Sequence, residues 1–160
     1  MHERYASGLS DEAAKTSIET LDKNLSLVID LSLIVKQAHW NMKGSNFIGV
    51  HKLLDDAVDN LRDILDKMAE RAVILGGSPD GRSQNVAAAT TLPEYPAGFM
   101  LVKDHVRELV ERYKIVAASL REAIDIVDEG GDQDTADLFT EASRIVDKDA
   151  WFIGSNAEGN

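Results

Sequence analysis

The chain contains no cysteine. This absence excludes thiolate zinc sites, iron–sulfur clusters, thiol catalysis and a disulfide framework. No stretch approaches the roughly 18 consecutive apolar residues of a membrane-spanning helix, and no apolar run follows a basic segment at the start, so we expect neither a membrane span nor a signal peptide. A chain of 160 residues, 44% of them apolar, is long enough to bury one ordinary core without a structural metal.

Positive charge is scarce and scattered. The sequence has 17 Lys and Arg residues against 28 Asp and Glu residues, which gives a formal net charge of −11. Arg4 is the only Lys or Arg before Lys15, and residues 154–160 contain none. Because a surface this acidic repels a phosphate backbone, the composition disfavours direct binding to DNA and favours the attraction of cations.

Proline is also rare, and between the prolines and the glycine pairs the apolar residues recur about every 3.6 positions. This period predicts four long helices, and no segment fits a strand better. The predicted helices run from Asp11, after an N-cap at Ser10, to about residues 41–44; from Phe47, after Ser45 or Asn46, to Leu75; from about Gly98 to Glu129; and from Asp132 or Asp134 to Gly154. Glycine pairs follow the second and third helices, as glycine commonly does at a helix end.

A connection of about twenty residues, 78–97, separates the second helix from the third. That length is unusual for a helical bundle, and it leaves room for a short helix at residues 83–89. Such a connection allows a crossover between two antiparallel helical hairpins. We therefore expect one all-α domain over residues 1–160, built as a four-helix bundle, with residues 1–10 as a short mobile tail.

The second helix carries two pairs of ionisable residues whose members are one turn apart, so each pair shares a face. The pairs are His51 with Asp55 and Asp66 with Glu70. Asp59 and Arg62 lie in the same sector, so a solvated, salt-bridged face explains the pattern as well as a set of metal ligands does. His39 lies on the apolar line of the first helix, where a core histidine bonded to a carbonyl is the common alternative to a ligand.

Carboxylates and neutral imidazoles without thiolates are the donors that iron, manganese and zinc accept. The two pairs cannot bind one ion within one chain, because Asp55 and Asp66 are roughly 16 Å apart along the axis at 1.5 Å per residue, whereas metal–ligand bonds are about 2 Å long. Either the chain has two separate sites or this helix packs antiparallel on its copy about a two-fold axis. In the second case the His51 end of one copy lies beside the Glu70 end of the other, and two equivalent sites form at a dimer interface.

A longer pattern surrounds these pairs. The residues in His39-Trp40-Asn41-x-Lys43-Gly44-x-x-Phe47-x-x-x-His51-x-x-x-Asp55, then Asp66-x-x-x-Glu70-Arg71 and Leu75-Gly76-Gly77, resemble the Dps family, the mini-ferritins named for DNA protection during starvation. The fourth helix adds Asp134-Thr135-Ala136-Asp137, Ser143-Arg144, Asp147-Lys148 and Trp151-Phe152. In all, the resemblance extends from Ser17 to Asn156.

The resemblance implies a ferritin-like four-helix bundle, with a short helix in the long crossover connection, assembled as a hollow homododecamer. It implies a ferroxidase that oxidises Fe²⁺, preferentially with hydrogen peroxide, and stores the Fe³⁺ mineral inside the shell. Iron is the implied metal, with Zn²⁺ or Mn²⁺ as alternatives in the same site. The implied location is the bacterial cytoplasm, with or without association with the nucleoid. Because the charge disfavours direct DNA binding, we expect protection of DNA to be mainly chemical.

The family's ferroxidase ligands correspond to five residues of this chain. They are His39, His51 and Asp55 from one subunit and Asp66 and Glu70 from its two-fold partner. Trp40 resembles the aromatic residue that intercepts radicals beside the site, and its alternative is ordinary packing. In the family, carboxylates near the start of the fourth helix line a three-fold pore through which iron enters. The resemblance implies this role for Asp132, Asp134 and Asp137; helix capping and solvated surface are the alternatives.

Two other classes of protein compete with this prediction. Ordinary ferritins and bacterioferritins place a Glu-x-x-His motif in the bundle core, but the residues three before the interior histidines are Lys36, Ile48 and Val102, so the sequence lacks that motif. A non-catalytic structural shell, or a DNA-compacting shell, stays open as the alternative. Measuring whether the protein oxidises Fe²⁺ with hydrogen peroxide distinguishes such a shell from a ferroxidase.

Overall fold

The computed structural model describes residues 2–157. The elements follow in the order α1 Asp11–Trp40, β1 Met42–Lys43, α2 Phe47–Ile74, α3 Ser83–Ala89, β2 Met100–Leu101, α4 Val102–Glu129 and α5 Gln133–Gly154. Helix α1 packs along α2 and α4, and α5 packs along α4 and α2, so the four long helices form a bundle, with α3 against α1. The predicted all-α bundle with a helical crossover is confirmed. None of the helices in the described range is long and apolar enough to span a membrane.

Helix α1 begins where the sequence supplies acceptors. Ser10 Oγ accepts a hydrogen bond from the backbone N–H of Ala13 at 3.0 Å, and Asp11 and Glu12 place negative charge in the first turn. Both features stabilise the positive end of the helix dipole. The C-terminal end of helix α2 lies near Gly76, which has a φ of +91°. This left-handed conformation suits glycine and commonly ends a helix.

The connection around the bundle differs from the prediction in two details. Strands β1 and β2 form a parallel pair. The register pairs Met42 with Met100 and Lys43 with Leu101. The prediction of no strand was wrong, because two residues are too few to produce a period-two pattern. The same pairing holds the chain extended before α4, so that helix begins at Val102 rather than near Gly98.

The apolar stripes of the four long helices meet in one core. Its largest fully buried side chains include Leu21, Leu31, Leu54, Leu61, Met68, Leu109, Tyr113, Leu120 and Phe139. Burying a side chain of this size contributes roughly 1.5–3 kcal/mol relative to leaving it in water. Polar ties then fix α2 against α5: Lys67 Nζ lies 3.0 Å from Glu141, and Asn60 Nδ2 donates to Asp149 Oδ1 at 2.9 Å.

The segment before α1 lies against the end of α2. The backbone N–H groups of His2 and Tyr5 donate to the carbonyl groups of Gly76 and Ile74 at 3.1 and 2.9 Å, respectively. These bonds bring the start of the chain to the glycine turn that follows α2. The mobility predicted for residues 1–10 stays a prediction, and the first residue lies outside the described range.

Candidate metal centre

The turn between α1 and α2 brings two histidines into contact. Helix α1 ends one residue after His39, and α2 begins four residues before His51, so the short connection folds the two imidazoles onto each other. Their ring centroids are 3.7 Å apart, and their planes are inclined by 16°. His39 is buried and His51 is half-buried, so the stacked pair lies where the bundle meets its surface.

Two hydrogen bonds fix the protons of this pair. His39 Nδ1 donates to the backbone carbonyl of His51 at 2.7 Å, and His51 Nδ1 donates to the backbone carbonyl of His39 at 2.9 Å. A carbonyl oxygen only accepts, so each Nδ1 carries a hydrogen. In the neutral rings both Nε2 atoms therefore keep a lone pair, which is the form that binds a metal, and the carbonyl partners hold the rings in that orientation.

Asp55 faces the histidine pair from α2. Its Oδ1 lies 3.5 Å from His39 Nε2 and accepts a hydrogen bond from Lys36 Nζ at 2.5 Å. The hydrogen bond from Lys36 lowers the pKa of Asp55 below its ordinary value; burial opposes this shift, and the nearby histidines reinforce it. Asp55 is thus an ionised acceptor that already pairs with a cation, the ammonium group of a lysine, at the position expected for a metal.

Lys36 is a member of this centre that sequence analysis did not identify. It lies three residues before His39, so both side chains point along the same side of α1, and this spacing is the one signal that the sequence offers. Its partner Asp55 belongs to another helix, nineteen positions away. The rotation of α1 against α2 decides whether the two residues meet, and that rotation is not visible in a local pattern.

Asp66 and Glu70 lie farther along α2, where both are exposed. Asp66 is roughly 16 Å from Asp55 along the helix axis and lines an open groove of about 620 Å³ between α1 and α2. Within residues 2–157, no group of three or more His, Asp or Glu side chains converges closely enough to hold a metal ion. His39, His51 and Asp55 are neighbours, but within residues 2–157 they do not form such a group by themselves, and Asp66 and Glu70 lie apart from them.

Trp40, next to His39 in the sequence, is 63% exposed. With Gln37 and Tyr95 it lines a surface cavity of about 750 Å³ between α1 and the connection that contains α3. Packing inside the bundle therefore does not account for this side chain within a single chain. Its role as a radical trap stays a prediction.

The carboxylates predicted for an iron-entry pore have different surroundings. Asp132 is 1% exposed and accepts hydrogen bonds from the N–H and hydroxyl of Thr135 at 3.1 and 2.6 Å and from Arg71 at 3.0 Å. Burial raises the pKa of Asp132, but these partners outweigh it and hold the pKa below its ordinary value. Asp132 thus caps α5 and ties it to α2. Asp134 and Asp137 are exposed, and the pore stays a prediction.

The chain is similar to known proteins over nearly its whole length. A ferritin-like domain matches residues 18–158. The DNA protection during starvation protein of Agrobacterium fabrum is 47% identical over 150 residues, which cover 94% of this chain and 93% of that protein. The chain belongs to the Dps family. The family resemblance of the sequence is therefore confirmed.

Solved structures of Dps proteins share this fold. Dps from Mycobacterium smegmatis, in a tetragonal form, superposes with a TM-score of 0.93 at 33% identity and covers 99% of this chain and 96% of its own. Dps from Microbacterium arborescens, in its high iron form, gives a TM-score of 0.87 at 36% identity over 96% and 97% of the two chains. The predicted ferritin-like bundle is thus confirmed by Dps structures as well as by the helices themselves.

Proposed function

We propose that this Dps-family protein is an iron-storage ferroxidase of the bacterial cytoplasm. It oxidises Fe²⁺, preferentially with hydrogen peroxide, at sites shared between two subunits and stores the Fe³⁺ mineral in a dodecameric shell. The observation that carries the proposal is the separation of the candidate metal donors along α2. His51 and Asp55 lie beside His39 near the start of this helix, whereas Asp66 and Glu70 lie in its second half. Iron is supported by the Microbacterium arborescens relative, a Dps in a high iron form; Zn²⁺ and Mn²⁺ suit the same donors.

The donors at the start of α2 form half of a site. Asp55 is half-exposed, and within residues 2–157 no three His, Asp or Glu side chains, these included, are placed to hold a metal ion. Asp55 and Asp66 are separated by roughly 16 Å along α2. When the α2 helix of a second copy packs antiparallel against the first, the Asp66 end of one helix lies beside the Asp55 end of the other, and the second copy supplies the missing donors. Each two-fold interface contains two identical sites.

The surface beside α2 has the apolar character that such a partner needs. Leu33 is 54% exposed and lines the groove between α1 and α2 together with Leu25, Ile29 and Leu65. A group of apolar side chains around an open groove is a usual feature of a subunit interface. We therefore assign this groove to a second copy of the chain, and the homododecamer is built from such dimers.

Binding of Fe²⁺ exchanges one cation for another. The metal takes Oδ1 of Asp55 from Lys36 and uses the Nε2 lone pairs of the two stacked histidines. The second copy adds the carboxylates of Asp66 and Glu70. These anions stabilise Fe³⁺ more than Fe²⁺, since the more highly charged ion gains more from each negative charge, and they therefore favour oxidation. Imidazole must be neutral to bind, so protons compete with iron for the site.

The reaction balances with two metal ions and one peroxide. Two Fe²⁺ ions give one electron each, the O–O bond of hydrogen peroxide breaks, and two protons complete two water molecules. The Fe³⁺ ions then hydrolyse to mineral and release protons. Because peroxide leaves as water, this step avoids the hydroxyl radical that ferrous iron and peroxide form in free solution. We assign Trp40, exposed beside His39, to the trapping of radicals that escape.

Protection of DNA follows from removing ferrous iron and peroxide together. The relative from Agrobacterium fabrum is named for DNA protection during starvation, but a net charge of −11 per chain disfavours direct binding of a shell to the phosphate backbone. The same negative charge attracts Fe²⁺, and we assign the exposed Asp134 and Asp137 to its entry pore. We expect no retarded complex in a mobility-shift assay at low salt without divalent ions; a clear retarded complex would contradict this part of the proposal.

Stopped-flow oxidation of Fe²⁺ by hydrogen peroxide tests the ferroxidase. The combined change His51→Ala and Asp55→Ala removes two donors and is expected to lower the rate by at least about tenfold. Asp59→Ala removes an exposed carboxylate one turn farther along α2, and this matched control is expected to keep the wild-type rate. An unchanged rate in the double variant, with an intact particle, favours a non-catalytic shell in which the Lys36–Asp55 ion pair is structural.

A further inference from the structure

His105 is a buried histidine of α4 that the proposed site does not use. It is 0% exposed, and both of its ring nitrogens have partners. Its Nε2 lies 2.8 Å from the backbone carbonyl of Asn41, and its Nδ1 lies 2.7 Å from the hydroxyl of Tyr95. His105 therefore connects the turn after α1 with the crossover connection.

The partners of His105 decide where its proton lies. The Asn41 carbonyl only accepts, so Nε2 carries the hydrogen, and Nδ1 of the neutral ring accepts the hydroxyl hydrogen of Tyr95. Burial raises the pKa of Tyr95 above its ordinary value, so the hydroxyl keeps its proton. Both ring nitrogens of His105 and the hydroxyl of Tyr95 thus have hydrogen-bond partners at the same time. His105 is therefore a rigid connector and has no free lone pair for a metal.

Asn41 is the C-cap of α1 and follows His39 by two residues. The last carbonyl groups at a helix end lack intrahelical donors, and here imidazoles of two other helices supply them. His51 of α2 donates to the carbonyl of His39, and His105 of α4 donates to the carbonyl of Asn41. The backbone N–H of Met100 adds a second bond to the Asn41 carbonyl at 3.0 Å. The end of α1 is thus held from two sides.

The other end of the connector is fixed by a buried arginine. Arg112, 4% exposed, donates to the carbonyl groups of Pro93 and Glu94 at 3.2 and 2.7 Å. Its guanidinium lies 4.9 Å from the centre of the Tyr95 ring, a distance typical of a cation–π interaction. The crossover connection is therefore clamped to α4, and His105 transmits that fixed position to the turn after α1.

We infer that His105 is a positioning residue for iron oxidation: through Asn41 it holds the last turn of α1 where His39 stacks on His51. The inference rests on the proposed ferroxidase function. Without the connector, the end of α1 keeps its bonds to β2 but loses its bond to α4. The two Nε2 atoms of the stacked pair then lose their fixed spacing, and the site binds metal more weakly while the four helices stay packed.

Three variants test this role in the assembled particle. His105→Phe keeps a buried ring and removes both hydrogen bonds, whereas His105→Gln keeps a donor toward Asn41 and an acceptor toward Tyr95. Leu120→Ala removes a fully buried side chain of α4 roughly 22 Å from His105 along the helix, and it controls for lost stability alone. The measurements are the affinity for Zn²⁺, a redox-inert probe of the site, the KM and kcat for Fe²⁺, the particle mass and the thermal midpoint.

We expect His105→Phe to weaken Zn²⁺ binding by about tenfold and to raise KM for Fe²⁺ more than it lowers kcat, at unchanged particle mass. His105→Gln is expected to stay within about threefold of the wild type. Leu120→Ala is expected to lower the thermal midpoint and leave Zn²⁺ affinity unchanged. The inference is overturned by wild-type affinity in His105→Phe, or by an equal loss of affinity in Leu120→Ala.

If His105→Phe does not assemble, His105→Met decides the question, because its flexible apolar side chain fills the same space and cannot donate to the Asn41 carbonyl. A loss of Zn²⁺ affinity of about tenfold supports the inference, and wild-type affinity overturns it. Failure of the proposed function is a separate result: the wild-type particle then shows no Zn²⁺ site that His51→Ala removes.

Discussion

His39 and His51 hydrogen-bond each other's backbone through the same ring atom, since each Nδ1–H donates to the carbonyl of the other residue, at 2.7 and 2.9 Å. Because the bonds are reciprocal, neither ring can turn without breaking its hydrogen bond to the backbone of the other residue. The two Nε2 atoms are therefore oriented before a metal arrives, which reduces the conformational entropy that is lost on binding.

Removal of one ring is expected to weaken the site more than the fold. His39→Ala deletes one donor and the stacking partner of His51, so we expect Zn²⁺ affinity to fall by more than about tenfold. The free energy of unfolding is expected to fall by only about 1–3 kcal/mol, because one hydrogen bond and one small buried ring are lost. Calorimetric titration and thermal unfolding measure the two effects. Gln37→Ala on the same helix is the control, and an equal loss of affinity there would contradict a specific role of the ring.

Lys36 pairs with the carboxylate that is proposed to bind the metal, with its ammonium group 2.5 Å from Asp55 Oδ1. We expect Lys36→Met, which keeps an unbranched side chain, to tighten Zn²⁺ binding roughly threefold to tenfold by removing that competing cation. The pKa of Asp55 then rises toward 3.8, and the carboxyl stays ionised at neutral pH. Lys52→Met, an exposed change on α2, removes the same charge as a control. Weaker binding in Lys36→Met would show that the lysine assists the site.

The shared site predicts rescue between two inactive variants. One variant lacks His51 and Asp55, and the other lacks Asp66 and Glu70. Each alone is expected to lose oxidation, because in the proposed site one group of donors comes from each copy. A mixed dimer keeps one intact site of its two, so random co-assembly in equal amounts is expected to restore about one quarter of the wild-type rate. Separately assembled shells that are mixed afterwards are the control. No rescue on co-assembly would mean that the sites lie within one chain.

A buried carboxylate makes the stability of the bundle depend on pH. Asp149 is 5% exposed; its Oδ1 accepts a hydrogen bond from Asn60, and its Oδ2 has no partner among the described residues. Burial raises the pKa of Asp149 from 3.8 to about 6. The stability that the protonated carboxyl contributes is therefore fully present below the unfolded-state pKa and is lost as the pH rises through about 6.

Asp149→Asn keeps the shape and one acceptor but cannot ionise. We expect it to raise the free energy of unfolding by about 1–3 kcal/mol at about pH 8, and we expect this gain to shrink toward about pH 4 as the wild-type carboxyl takes up its proton. Thermal unfolding at both ends of this range measures the difference. Asp125→Asn, an exposed carboxylate of α4, is expected to show no such trend. An equal gain at every pH would assign the effect to packing.

The helices, and the shared face of one pair of candidate ligands, were predictable because their signals are local. Ser10 caps α1 through a hydrogen bond to a residue three positions away. The glycine pair that ends α2 closely follows this helix in the sequence. His51 and Asp55 share a face because they are one turn apart on a single helix, which spacing alone decides. The long resemblance to a family then extended these local signals to the whole bundle.

Contacts between distant residues were not predictable in the same way. Lys36 of α1 pairs with Asp55 of α2, and Arg71 pairs with Asp132, which is 61 positions away. Asp132, a carboxylate predicted for a pore, is therefore buried and paired. Both contacts depend on how far each helix is rotated about its axis. His105 likewise receives its partners from the turn after α1 and from the crossover connection, and no spacing within α4 indicates either of them.

A newly translated subunit carries the donors of α2 too far apart to act alone. Under the proposed function, oxidation starts only when two subunits meet, and because the same contacts build the wall of the container, oxidation and confinement begin together. Iron mineral then does not precipitate on a single subunit. We expect dilution that separates the subunits to stop the oxidation of iron as the container comes apart.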